Sequence, residues 1–232
     1  MECGGSKKRN EAYSKNFSEQ EYFYNLLNSD KNSKPVIFDV GAHKGESVIF
    51  YKNIFPKSVI HSFEPVEENA STIKKLNFCD SYVHNLALSN FNGDSDFYVQ
   101  DITHLSSLNK VNRDSKDSFE YGKREKHHIR NIKVCRGDDF CSKLKITEID
   151  LLKIDVQANE VNTIVGFKDI IKNVKNIFIE IAFYDFYEKK SSIKDIEINL
   201  PNFSLYDIYE VSKNPRTQGT DWANFVYKNN TM

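Results

Sequence analysis

Asp39, Gly41 and Gly45 sit together in "VIFDVGAHKGE", and Glu64 closes the next apolar run, "SVIHSFEP". A glycine turn between a buried strand and a helix lets backbone N–H groups approach an anion, and the helix N-terminus adds partial positive charge there. A carboxylate ending the next parallel strand stands beside that turn and can accept hydrogen bonds from both hydroxyls of a ribose. The pattern therefore predicts an adenosine-containing ligand whose anionic part rests on the turn. NAD and S-adenosylmethionine both fit. The dinucleotide fingerprint is G-x-G-x-x-G, with room for a pyrophosphate, whereas this chain has Gly41-Ala42-His43-Lys44-Gly45 behind Asp39. The wider spacing and the leading acid suit the smaller aminocarboxylate of S-adenosylmethionine, with Asp39 available to its ammonium.

Methyl transfer from such a donor is an in-line displacement at an activated carbon, so the protein must align donor and acceptor and exclude water. A hydroxyl acceptor also needs its proton removed or its oxygen stabilised, by a base or a metal near the strand ends. Asp155, ending "LLKIDV", and Glu180, in "IFIEI", are predicted at the carboxyl ends of central strands, where open α/β sheets bind ligands. Asp155 could also serve as a cap for the helix after it. Two facing carboxylates could instead share a divalent ion, but the further oxygen ligands such a site needs are not identifiable, so no metal ligand is assigned. His104, in "DITHLSSL", is the histidine best placed to face the acceptor, although loop polar residues are more often simply solvated. His43 reads as a spacer in the turn.

These residues need a frame that brings strand ends together. "VIFDV" and "SVIHSFEP" are continuous apolar runs of the kind buried on both faces, separated by the helical pattern of "ESVIFYKNIF", which Pro56 stops. "EENASTIKKLNF" reads as the next helix and "YVHNLALS" as a third strand, giving a right-handed βαβαβ series on a parallel sheet. "SEQEYFYNLLNSD" predicts an amphipathic helix capped by Ser18 with Glu21. Residues 91–148 break the rhythm: "NGDSDFYVQ" is a turn into an antiparallel strand, "DITHLSSLNKVNRDSKDSFEYGKREKHHIR" a polar loop, and "NIKVCRGDDF" another strand. The rhythm returns with "IDLLKIDV" as strand, "NEVNTIVGFKDIIKN" as helix and "VKNIFIEIAF" as strand. "FSLYDIYEV" and "WANFVYKN" are joined too closely for a crossover helix and form an antiparallel hairpin. Rossmann-like methyltransferases end in such a hairpin and dehydrogenase domains do not.

The pieces "FDVGAHKGE", "FEP", "NLALSN" with "GDSDFYV", "SSL", "IDLLKIDVQANE" and "IFIEI", in this order over roughly residues 36 to 181, make the chain resemble the FkbM-type methyltransferases. The resemblance implies a class I methyltransferase (Rossmann-like) α/β fold, mostly parallel with the C-terminal antiparallel hairpin. It implies S-adenosylmethionine as methyl donor and an oxygen acceptor on a sugar or natural product. Carried over by position, Asp39, Gly41 and Gly45 line the methionine end, Glu64 holds the ribose, and Val66 with the backbone of Asn85, Leu86 and Ala87 borders the adenine. Asp155 lies near the sulfonium. The family commonly has V-E-G-A-E after that aspartate where this chain has Val156-Gln157-Ala158-Asn159-Glu160. That departure bears on the acceptor side and raises the alternative of a donor-binding module without turnover; N-methylation of an amide or amine is the alternative within the enzyme class.

The chain has 232 residues, 39% hydrophobic, with formal net charge -1, enough for one domain and too evenly charged to draw in nucleic acid or an anionic membrane. The expected organisation is a disordered tail over residues 1–16 and a single domain over 17–232 with the insertion at 91–148. No stretch has the length of a membrane span or a secretory signal, so a cytoplasmic protein with a small-molecule or glycan acceptor is expected. Cys3, Cys79, Cys135 and Cys141 are scattered and expected as thiols. The spacing of His127, His128, Cys135 and Cys141 matches no zinc pattern, and "KREKHHIR" reads as a solvated basic loop. Phe183, Tyr184, Phe186 and Tyr187 could wall an acceptor pocket or pack on the hairpin, and Trp222 reads as core.

Overall fold

The computed structural model describes residues 15–101, 103–112, 114, 127–183, 185–214 and 218–232. Helix α1 (Glu19–Leu26) starts at Ser18, whose hydroxyl accepts the Glu21 N–H as predicted. Strand β1 (Val36–Val40), helix α2 (Glu46–Ile54), strand β2 (Val59–Phe63), helix α3 (Glu67–Lys75) and strand β3 (Ser81–His84) follow in the expected alternation. Later in the chain, β7 (Ile149–Ile154), α5 (Glu160–Gly166) and β8 (Val174–Ala182) resume it, and β9 (Phe203–Lys213) with β10 (Thr220–Asn229) closes it. The sheet order is β3-β2-β1-β7-β8-β10-β9, with the first five strands parallel and β10 antiparallel to both of its neighbours, β8 and β9.

Alternation along the strands explains the continuous apolar runs. Ile37, Ile60, Leu151, Phe178 and Val226 face one side, against Phe23 of α1 and Val48 and Tyr51 of α2. Phe38, Val40, Leu152, Ile154, Ile177 and Ile179 face the other, against Phe140, Ile164 and Phe167. Both faces are covered, so neither can carry a polar stripe.

Three sequence expectations need correction. "YVHNLALS" is not one strand. Leu86 N–H turns back onto the His84 carbonyl, and Asn85 Nδ2 donates to the Glu64 and Pro65 carbonyls. The chain thus leaves the main sheet, and β4 (Ala87–Ser89) joins a second sheet of order β4-β6-β5 with β5 (Gly93–Gln100) and β6 (His127–Arg136). "HHIR" is therefore strand rather than loop. Within "NIKVCRGDDF" the strand stops at Arg136, and α4 (Gly137–Leu144) begins where a Cβ on Gly137 would lie 2.6 Å from the Phe167 ring. A sixth helix, α6 (Ile193–Ile198), was not anticipated; its cap Ser192 accepts the Asp195 N–H.

Candidate active site

One cavity of about 370 Å³ opens at the carboxyl ends of β1, β2, β7 and β8, the place the strand pattern predicted. At one end are Gly41, His43, Glu64, Pro65, Ala87 and Leu88. Gly41 has φ +86, and a Cβ there would come within 1.8 Å of the Asp155 carbonyl oxygen, so only glycine fits between β1 and β7. The N–H groups of Gly41 to Gly45 all have partners inside the protein: Gly41 and Ala42 donate to the Phe63 carbonyl, His43 and Lys44 to Glu64 and Glu46, and Gly45 to Ala42. The turn thus supplies space more than free donors, which corrects the expectation of N–H groups held open for an anion.

Glu64 is 5% exposed and accepts from the His43 N–H at 2.9 Å and the Val66 N–H at 2.8 Å. Burial pushes its carboxyl up to about 7 against those bonds. A buried carboxylate at the cavity wall beside apolar Pro65, Ala87, Leu88 and Phe97 fits a ribose with its adenine on the apolar wall.

At the other end a row of polar side chains crosses the floor. Asp39 is fully buried and pairs with Lys153 at 3.2 Å, its neighbour in register on β7; Lys153 also stands 3.6 Å from Asp155. Burial would lower the Lys153 ammonium, but the Asp39 and Asp155 charges more than offset it and hold it above its ordinary range. Gln157 Nε2 donates to Asp155 Oδ1 at 2.9 Å and to Glu180 Oε1 at 3.3 Å. Glu180 is pushed up to about 8 by burial and by the charge of Asp155. The Gln157 and Ala158 backbones are left-handed, with φ +54 and +73. The second is the position where the family has glycine, and that preference has its physical reason in this angle.

The segment 103–108 covers the cavity. Ser107 is fully buried, donates to the Gln157 carbonyl at 2.5 Å and accepts the Asn109 N–H; Ser106 accepts the Gln100 N–H. These bonds give "SSL" its purpose, fixing the cover to the turn after β7 and leaving Leu105, Ser106, Leu108 and His104 on the cavity wall. His104 stands with its ring 6.2 Å from that of His43.

Of the residues expected here, Gly41, Glu64, Ala87, His104, Asp155 and Glu180 line the cavity. Asp39, Gly45 and Val66 do not. Asp39 faces Lys153 beneath the floor, Gly45 packs where a Cβ would come 2.9 Å from Leu76 Cδ1, and Val66 is 3% exposed. Trp222 is not core: it lines the cavity with Asp221. Phe186 and Tyr187 are buried with Leu105 and Ala158 and Phe183 is exposed, so the aromatic cluster is no pocket wall; Tyr184 lies outside the described residues. Among the described residues no group of three His, Cys, Asp or Glu could hold a metal ion. Cys141 is buried in the core, and His127 and His128 are exposed on β6. Sequence reading missed Lys153, Phe97 and Asp221, and singled out Gln157 only as a departure on the acceptor side; a lysine inside the apolar run "LLKID" was the available signal for Lys153.

The model of the methyltransferase FkbM domain matches residues 39–206. The 2-O-methyltransferase NoeI of Sinorhizobium fredii is 25% identical over 182 residues, 74% of this chain and 73% of that protein. Among solved structures, an rRNA methylase from Streptococcus thermophilus aligns over 92% of this chain and 98% of its own, at 8% identity and TM-score 0.48. Fibrillarin of Aeropyrum pernix, solved with natively bound S-adenosylmethionine, aligns over 84% and 67%, at 10% identity and TM-score 0.46. At those scores neither structure bears on function. The FkbM match covers most of the chain, and the protein belongs to the FkbM family of S-adenosylmethionine-dependent methyltransferases.

Proposed function

We propose that the protein methylates a hydroxyl of a sugar or sugar-bearing natural product, using a single domain over residues 17–232 in the cytosol. The observation that carries this reading is one continuous cavity with the Glu64 carboxylate at its donor end and Asp155, Gln157 and Glu180 at the other. Its size suits small ligands rather than a folded partner. The name of the relative NoeI, a 2-O-methyltransferase, supports oxygen as the acceptor atom.

S-adenosylmethionine supplies an activated methyl group on a positively charged sulfur. Glu64 holds the ribose hydroxyls, and Gly41 lets the cofactor approach the ends of β1 and β7. Glu180 and Asp155 align the acceptor hydroxyl for in-line attack, and Glu180 accepts its proton. Trp222 gives the acceptor a flat apolar wall beside Glu180: Trp222 pairs with Ala182 and Asn224 with Glu180, which puts Trp222 and Glu180 on one face as diagonal neighbours. The cover segment, through its buried Leu105 and Ser107, keeps water out, with His104 at its exposed edge.

Calorimetric titration with S-adenosylmethionine, S-adenosylhomocysteine and NADH tests the donor half. Micromolar binding of the first two, lost in Glu64→Ala, is expected; binding of NADH alone would sink the reading. Incubation with tritiated S-adenosylmethionine and a panel of oligosaccharides then tests the acceptor, and label appearing only on amine or amide compounds would replace O- by N-methylation.

A further inference from the structure

We propose that Gln157 is a positioning residue that ties Asp155 and Glu180 into a metal-independent pair, occupying with its amide the place that a bridging cation would take. The inference rests on the methyltransferase reading of this cavity and adds how its two acids are held.

The amide nitrogen lies between the carboxylates, 2.9 Å from Asp155 Oδ1 and 3.3 Å from Glu180 Oε1. Behind it the buried Tyr187 hydroxyl, 3.0 Å from Gln157 Oε1 and 2.9 Å from the Leu105 carbonyl, shares its one proton between the two oxygens. The two carboxylates set the orientation of the amide, since turning it over would face its oxygen to both of them. The backbone is held too, by the Ser107 hydroxyl on the Gln157 carbonyl and by a left-handed φ of +54. A cation between the two acids needs oxygens at about 2.0–2.6 Å, and an inward-facing NH₂ group offers donors instead.

The clamp treats the two acids differently. Asp155 has the shorter amide bond on one oxygen and the Lys153 ammonium near the other. Glu180 has the longer amide bond, and the groups facing it are Asp155, Lys153 and Glu160 in addition to Gln157. It is the less restrained acid and the one free to take up and release a proton at the acceptor. Because the amide donates to the charged form, it favours ionised Glu180 against its burial.

The test needs no acceptor. Protein labelled with ¹³C at glutamate carboxyls is titrated by NMR with S-adenosylhomocysteine present, Glu180 being assigned through Glu180→Gln. Gln157→Leu should raise the Glu180 midpoint by about one pH unit, the worth of one hydrogen bond to a charged group. Tyr187→Phe, which keeps the ring and frees the amide, should move it the same way by less, and carries the test if Gln157→Leu does not fold. Manganese(II) followed by paramagnetic resonance should show no binding to wild type that Glu180→Gln abolishes. An unmoved Glu180 midpoint in the variants, or manganese bound by wild type and lost in Glu180→Gln, overturns the proposal. Calorimetry on the same samples separates the two levels: S-adenosylhomocysteine bound with Glu180 unmoved defeats the clamp alone, and no binding at all removes the methyltransferase reading with it.

Discussion

The two ends of the cavity are built by different means. The donor end is made by backbone: a left-handed glycine pressed on the Asp155 carbonyl, a turn whose N–H groups bond inward, and one carboxylate. The acceptor end is made by side chains from several elements, with Lys153, Asp155, Gln157 and Glu180 in one row and Ser107 and Tyr187 fastening it from elsewhere in the chain. A site made of backbone shape tolerates almost no change of size at its contact points. A site made of a polar network tolerates size and responds to charge and protonation.

The largest effect should fall on the backbone-built end. Gly41→Val would drive a side chain into the Asp155 carbonyl at an unfavourable positive φ and should cost at least about 3 kcal/mol, abolishing S-adenosylhomocysteine binding and lowering the thermal midpoint. If the melt is unchanged, the claim that shape governs this end is wrong. Glu64→Ala removes charge without adding bulk; it should weaken S-adenosylhomocysteine by about 30-fold, roughly 2 kcal/mol, and calorimetry reads it directly. In wild type that affinity should rise as pH passes upward through about 7, where Glu64 loses its proton.

The network should declare itself through pH. Glu64, Glu160 and Glu180 are raised to about 7, 7 and 8, so the native state holds protons that the unfolded chain has already lost. Stability is therefore present below the ordinary glutamate range and lost as pH rises through those values. Below 6.5 the buried His61 and His84, lowered to about 4, act in the opposite sense, since they must stay neutral to remain folded. The clean window is from 6.5 to about 8, across which the unfolding free energy measured with denaturant should fall by up to about 3 kcal/mol. A flat profile would mean these acids are not coupled to folding. The smallest effect belongs to Ala158→Gly, which relieves φ +73 and should stabilise by up to about 1 kcal/mol in chemical denaturation, leaving donor affinity unchanged.

What could be read from the sequence divides along the same line. "DVGAHKG" and "FEP" are local: strand, turn and helix lie within a few residues, and the chemistry follows from that order. Asp155 and Glu180 were legible because each ends a strand. Gln157 was not, since its role depends on an unexpected left-handed backbone and on Ser107, 50 residues away. Trp222 read as core because an aromatic in a strand is usually packed, and only the register with β8 places it at the cavity. The break at Asn85 was missed for a related reason: its amide bonds to Glu64 and Pro65, a contact between strands that no periodicity within one strand reports.

The place of β1 between β2 and β7 also sets a timetable for synthesis. The Val36 N–H bonds to Asp150, 114 residues further on, and Gly41 is completed as a binding element only by the Asp155 carbonyl just beyond. At roughly 5–20 residues per second, a ribosome leaves the first three strands waiting for several seconds with one edge of β1 unpaired. During that interval the glycine turn has no wall behind it. Glu180 and Trp222, which line the same cavity, come later still, so the site is whole only when nearly the entire chain has been made.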